Sequence, residues 1–96
     1  MVNNKVLLEV AASFFEKHRL VEGFVDVQGR IGYESLRTGE RLYILPELYL
    51  WIPLGSGEHV DIWRITDDGF VYEGTEEGYR IPPQWLLDAL VRAEKK

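Results

Sequence analysis

Cysteine is missing from all 96 positions. No disulfide framework, thiolate metal site or cysteine nucleophile is therefore open to the chain, and a hydrophobic core has to hold the fold unaided. That fits a reducing compartment. Long apolar runs are missing as well. The most apolar stretch, residues 42–54, contains Glu47 and is cut by Pro46 and Pro53, whereas a membrane-spanning helix takes about 20 apolar residues. The N-terminal segment has Glu9 and Glu16 inside its amphipathic pattern and lacks the apolar centre and small-residue cleavage site of a secretory signal. The expectation is a cytoplasmic protein with no membrane partner.

Runs of Lys and Arg are also absent. Nucleic-acid binding needs a basic face that neutralises phosphate, so no nucleic-acid partner is expected. Formal charge is −5 and unevenly spread. Residues 1–41 are balanced, whereas residues 42–80 carry Glu47, Glu58, Asp61, Asp67, Asp68, Glu73, Glu76 and Glu77 against Arg64 and Arg80 alone. An acidic region of this kind steers basic protein surfaces toward itself, unless Arg30, Arg37 or Arg41 folds over to neutralise it.

What is present suits one domain spanning 1–96: 46% of residues are hydrophobic and 28% charged, close to average for globular chains. Leu7, Val10, Ala11 and Phe14 recur at helical spacing, widened by Leu8, Ala12 and Phe15, and predict a helix over 4–20. Asn3 or Asn4 caps its start, Lys17, His18 and Arg19 suit the negative end of its dipole, and Gly23 closes it. Alternation then takes over in residues 24–28 and 31–34, a hairpin turning at Gly29. Residues 41–45 follow, broken by Pro46. Leu48, Tyr49, Leu50, Trp51 and Ile52 are apolar on both faces. They predict a central strand, or one covered by the helices or by a second copy of the chain in a homodimer.

Gly55-Ser56-Gly57 reads as a turn, and residues 58–66 and 70–74 as a hairpin closed at Asp67-Asp68-Gly69. A two-residue Asp68-Gly69 loop sets Arg64 opposite Glu73 and Trp63 opposite Gly74, while a three-residue loop with a bulge sets Arg64 opposite Tyr72. Pro82 and Pro83 open a second helix, with Leu86, Leu87, Ala89, Leu90, Val91 and Ala93 on its apolar side and Asp88 and Arg92 paired on the other. The order predicts an α+β fold: an N-terminal helix, an antiparallel meander of about five strands and a C-terminal helix, both helices on one face of the sheet.

Catalytic constellations are thin. His59 and Asp61 share a strand face, two ligands where zinc needs three or four. Ser56, His59 and Asp61 can be written as a triad, but residues so close on one loop and strand do not converge in the required geometry. Gly55-x-Gly57 leads into a strand rather than a helix N-terminus, so it cradles no phosphate. Asp67-Asp68-Gly69 lacks the spaced oxygens of a calcium loop. Paired carboxylates could serve an acid/base hydrolase only if one were buried among apolar groups. No cofactor, metal or enzymatic activity is expected.

Twelve aromatic residues exceed what a small two-layer core hides. Tyr43, Tyr49 and Tyr79 flank proline or glycine breaks and are the candidates for exposure, where such rings anchor partners. The sequence therefore predicts a small acidic interaction module of the inhibitor, immunity or adaptor type. Its expected binding residues for a basic protein surface are Glu58, Asp61, Trp63, Glu73, Glu76, Glu77 and Tyr79. The alternative is a small-molecule module with an apolar, aromatic-lined pocket between sheet and helix.

Overall fold

The computed structural model describes residues 2–55 and 58–95. The turn expected at Gly55-Ser56-Gly57 and the hydroxyl of Ser56 thus lie partly or wholly outside the described residues. The chain runs α1 (Asn4–Lys17), β1 (Val21–Val25), β2 (Ile31–Ser35), β3 (Arg41–Leu45), β4 (Tyr49–Leu54), β5 (His59–Thr66), β6 (Gly69–Tyr72) and α2 (Gln84–Glu94). The six strands form one antiparallel sheet in sequence order, an α+β meander with two free edges, β1 and β6. No helix among the described residues is long and apolar enough to cross a membrane.

Asn3 caps α1, its side-chain oxygen accepting from the Val6 amide at 3.0 Å. The helix stops at Lys17, well before Gly23, because His18 turns extended and Val21 to Val25 are taken up as a strand by pairing with Ile31 to Ser35. Tertiary pairing overrides the local stop signal here. His18, at the C-cap of α1, is buried rather than presented to solvent. It is 5% exposed, its ring 4.6 Å from that of Phe14 and its Nε2 3.5 Å from the Glu40 carboxylate.

Burial pushes the His18 imidazole below its ordinary value of 6.5, against the pull of Glu40 and with help from Lys17. The folded chain thus takes up this proton at lower pH than the unfolded one. The stability carried by the neutral ring is complete above 6.5 and is lost as the pH falls from there toward the folded value. Thermal melts are expected to show a falling melting temperature from about pH 7 to about pH 5. The slope should flatten in His18→Gln, and an equal slope in that variant would contradict the assignment.

Both helices lie on one face of the sheet. Val6, Val10 and Phe14 of α1 and Leu86, Ala89 and Ala93 of α2 meet Leu42, Leu48, Leu50, Trp63 and Ile65 of the sheet side in one core. Each fully buried Leu or Phe side chain contributes about 2 kcal/mol. The expected pairing of Asp88 with Arg92 does not form. Asp88 accepts from Gln84 at 3.0 Å, and Arg92 crosses to α1, donating to Glu9 at 3.3 Å and to the Ser13 hydroxyl at 2.6 Å. The reason is reach: Arg92 sits on the side of α2 that faces α1.

The β5–β6 hairpin takes a register that neither sequence reading gave. Thr66 pairs with Gly69, Ile65 with Phe70, Arg64 with Val71 and Trp63 with Tyr72, so the loop is Asp67-Asp68. Neither aspartate has positive φ; Gly69, at φ 141°, takes the conformation that only glycine adopts cheaply.

Candidate functional site

The face of the sheet turned away from the helices is where the chain concentrates residues of interface type. Because the side-chain period of a strand is two, the register writes two rows across this face. One runs Phe24, Gly32, Tyr43, Tyr49, Arg64, Val71. The other runs Glu22, Glu34, Arg41, Trp51, Ile62, and the Glu73 amide donating to the Ile62 carbonyl at 2.7 Å extends it past β6. Neither helix packs on these side chains, since the core lies on the opposite face.

Gly32 makes the first row possible. A Cβ there would sit 2.5 Å from the Leu42 carbonyl oxygen and 2.9 Å from the Tyr43 Cα, at a point where the β2–β3 register shifts. The bare backbone lets the Phe24 and Tyr43 rings meet edge to face across it at 5.2 Å. Tyr43 then stacks on Tyr49 at 4.6 Å. This lattice buries Tyr43, contrary to the exposure expected of it, and leaves Tyr49 half-buried.

Arginines lie on the rings. The Arg30 guanidinium is 4.8 Å from the Tyr43 ring and 6.0 Å from that of Tyr49, donating to the Tyr49 hydroxyl and to the Asp26 carboxylate at 2.6 Å each. Arg41 sits 5.0 Å from the Phe24 ring and 5.2 Å from that of Trp51. It donates to Glu34 at 2.6 Å and to the Tyr43 hydroxyl at 3.1 Å, bonds that raise its proton affinity above the ordinary arginine value. Arg64 donates to Glu73 at 3.0 Å. Burial works to raise the Asp26 carboxyl, but bonds from the Arg30 amide, the Arg30 guanidinium and the Gln28 amide outweigh it and hold it below the ordinary range. The carboxylates fix the guanidinium planes, and those planes hold the rings in place.

The residues expected to bind from sequence divide over three places. Trp63, 2% exposed, faces the helices between Phe70 and Tyr72 rather than solvent. Asp61, 6% exposed, is on the same inner side, accepting from the Tyr72 hydroxyl and from Arg80 at 2.7 Å each. Glu73 lies on the outer face with Arg64. Glu58, Glu77 and Tyr79 are exposed, Tyr79 at 89%, and Glu76 is half-buried with His59 3.6 Å away. Neither Arg30 nor Arg41 reaches these carboxylates; the region's own Arg64 and Arg80 pair with Glu73 and Asp61.

The segment after β6 is held in place by these inner bonds. The Tyr72 hydroxyl accepts from the Glu76 amide at 3.1 Å, and Thr75 pairs with Val60 through its amide and its hydroxyl. It thereby presents Tyr79 and Ile81 outward with Glu76 and Glu77 beside them.

Phe14, Leu42, Leu50 and Leu86 fill the space between sheet and helices, where the alternative reading put an aromatic-lined pocket. One cleft of about 100 Å³ does open at the end of that layer, lined by Val6, Gly69, Leu90 and Ala93 and by no aromatic ring; larger ones lie at its margins. One of about 290 Å³ between the helices is lined by Ser13, Glu16, Lys17, Trp85, Asp88 and Arg92. Another of about 280 Å³ includes Glu47, Arg64, Thr66, Asp67 and Asp68 in its wall.

Sequence reading missed the arginine and aromatic lattice, although its signal was present. Arg41 and Tyr43 alternate on β3, Tyr49 and Trp51 on β4, and the two-sided apolar character of residues 48–52 left the second face in need of cover. Comparison with protein-family models, with characterised proteins and with solved structures finds no match, so the function has to be read from this geometry.

Proposed function

We propose that the protein is a non-catalytic interaction module of the inhibitor, immunity or adaptor type that docks a protein partner on the outer face of its sheet. The observation that carries this reading is Trp51, Tyr49, Phe24 and Ile62 lying half-buried on a face that no helix covers, interleaved with Arg30, Arg41 and Arg64. Tyr, Trp and Arg supply most of the energy at protein interfaces. Rings and guanidinium groups already locked in one arrangement lose little entropy on binding.

The partner surface is basic. Every arginine of the outer face is matched by a carboxylate, Glu22 stands exposed at its β1 margin, and Glu58 and Glu77 are exposed beyond it, so these acids make the rim negative. Such a rim speeds encounter with a positive surface and loses that advantage as salt screens it.

Quantitative affinity capture with the wild-type chain and with Trp51→Ala tests the reading. A protein with a basic surface should be retained by the wild type, released by salt and retained at least about tenfold less by the variant, a loss of about 1.4 kcal/mol. Equal retention of the same proteins by both chains would sink it.

A further inference from the structure

The first strand ends the sheet with an edge that no other strand among the described residues pairs with. Leu36 donates its amide to the Leu20 carbonyl and Asp26 its amide to the Arg30 carbonyl, so residues 20, 22, 24 and 26 turn their backbone groups toward β2. By the alternation of an antiparallel ladder, Val21, Gly23 and Val25 turn theirs outward. Natural edges are blunted by lysine, proline, bulges or shortness. β1 has no lysine, proline or bulge over its five residues, its one charge is Glu22, and it leaves Val25 68% exposed.

We infer that β1 pairs antiparallel with β1 of a second copy about a two-fold axis at Gly23, joining the two sheets edge to edge. In this register Gly23 faces Gly23 of the other copy, and Val21 faces Val25 in both directions. Every outward amide and carbonyl on both strands then has a partner, and each exposed Val25 packs on a valine. The segment Val21-Glu22-Gly23-Phe24-Val25 matches its own reverse at these positions.

Charge selects the register. Sliding the copies by one ladder step in one direction puts Glu22 opposite Glu22, and sliding them the other way puts Glu22 opposite Asp26. With Gly23 on the axis, Glu22 instead faces Phe24 of the second copy, whose ring carries the Arg41 guanidinium at 5.0 Å. Within one copy Glu22 stands directly across from Glu34, whose charge Arg41 already satisfies. Pairing therefore brings a cation to a carboxylate whose neighbour in its own chain repels it. A foreign strand would need this same pattern, which a second copy supplies by construction. β4, by contrast, lies inside the sheet with Leu48 and Leu50 in the core and has no edge to offer.

Sedimentation equilibrium over a concentration series, with the wild type, Val25→Lys and Gly23→Pro, tests this. The wild type should pass from monomer to dimer, and both variants should need at least roughly tenfold higher concentration to do so. Their far-ultraviolet circular dichroism should match the wild type, since proline is tolerated where an edge amide faces out. If Gly23→Pro fails to fold, Val25→Lys, at an exposed side chain, still decides. A wild type that stays monomeric at NMR concentrations would overturn the inference. So would a dimer unchanged in Val25→Lys, or one abolished by Trp51→Ala alone.

Discussion

Phe14→Ala is expected to cost about 3–5 kcal/mol, a large share of the roughly 5–15 kcal/mol that holds a domain of this kind together. Phe14 is fully buried and sits in the core where α1 meets α2 and the sheet-side residues. Its ring is 4.6 Å from His18 at the end of α1, 6.1 Å from Trp85 of α2 and 6.4 Å from Phe15. Truncation removes the largest buried ring between α1 and α2 and leaves a hole the close-packed surroundings close only in part. Urea denaturation should show the midpoint moving to much lower denaturant, in proportion to the stability lost. Phe14→Leu, which keeps most of the volume, should lose about 1.5 kcal/mol or less. If Phe14→Ala unfolded at the wild-type midpoint, the position of the core would be wrong.

Asp61→Ala is the second large effect. The carboxylate is buried on the inner side of β5 and is the acceptor for both the Tyr72 hydroxyl and Arg80. Arg80 keeps about a third of its side chain exposed and can turn to water, but removing the carboxylate leaves the part-buried Tyr72 hydroxyl without its acceptor and opens a gap under β6, and an unmet buried polar group costs about 1–3 kcal/mol. A fall in melting temperature on the order of 10 °C is expected. It should come with faster amide exchange at Thr75 and Glu76, whose bonds depend on Val60 and Tyr72 being held. The surface contact between the exposed His59 and the half-buried Glu76 is the control, because Glu76→Gln should shift the melting temperature far less than Asp61→Ala. Equal effects from the two variants would mean that Asp61 does not anchor the segment.

Much of this architecture is legible in residue order. Leu7, Val10, Ala11 and Phe14 announce α1, the two prolines announce α2, and turn residues divide the middle into strands. The hairpin at β5–β6 shows the limit. Expected and observed registers differ by two positions, so every side chain keeps its face and only its neighbour across the strand changes. That is why Arg64 still reaches Glu73, diagonally, after pairing with Val71.

Burial was harder to read. Alternation says that Asp61, Trp63 and Ile65 share one face of β5 and that Val60, Ile62 and Arg64 share the other. It does not say which set the helices cover. Both sets contain large apolar residues, and the contact that accommodates a carboxylate on the covered side, Arg80 reaching back nineteen residues to Asp61, is invisible to any local pattern. His18 was misjudged for a similar reason: its position at a helix end favours charge, and its burial against Phe14 works against it. The outer face was legible only as a surplus, too many rings for one core. Its assignment needed the register, which alone shows Arg30 and Arg41 lying over those rings.

The decisive measurement is an amide-exchange and chemical-shift footprint of the protein with and without the captured basic partner. Slowed exchange and shifted resonances should gather on β3, β4 and β5, centred on Arg41, Tyr49, Trp51 and Ile62, with Glu73 at their margin and the outward sides of α1 and α2 unchanged. A footprint confined to the helices, with the Trp51 indole resonance unmoved at saturation, would contradict the outer sheet face as the docking surface.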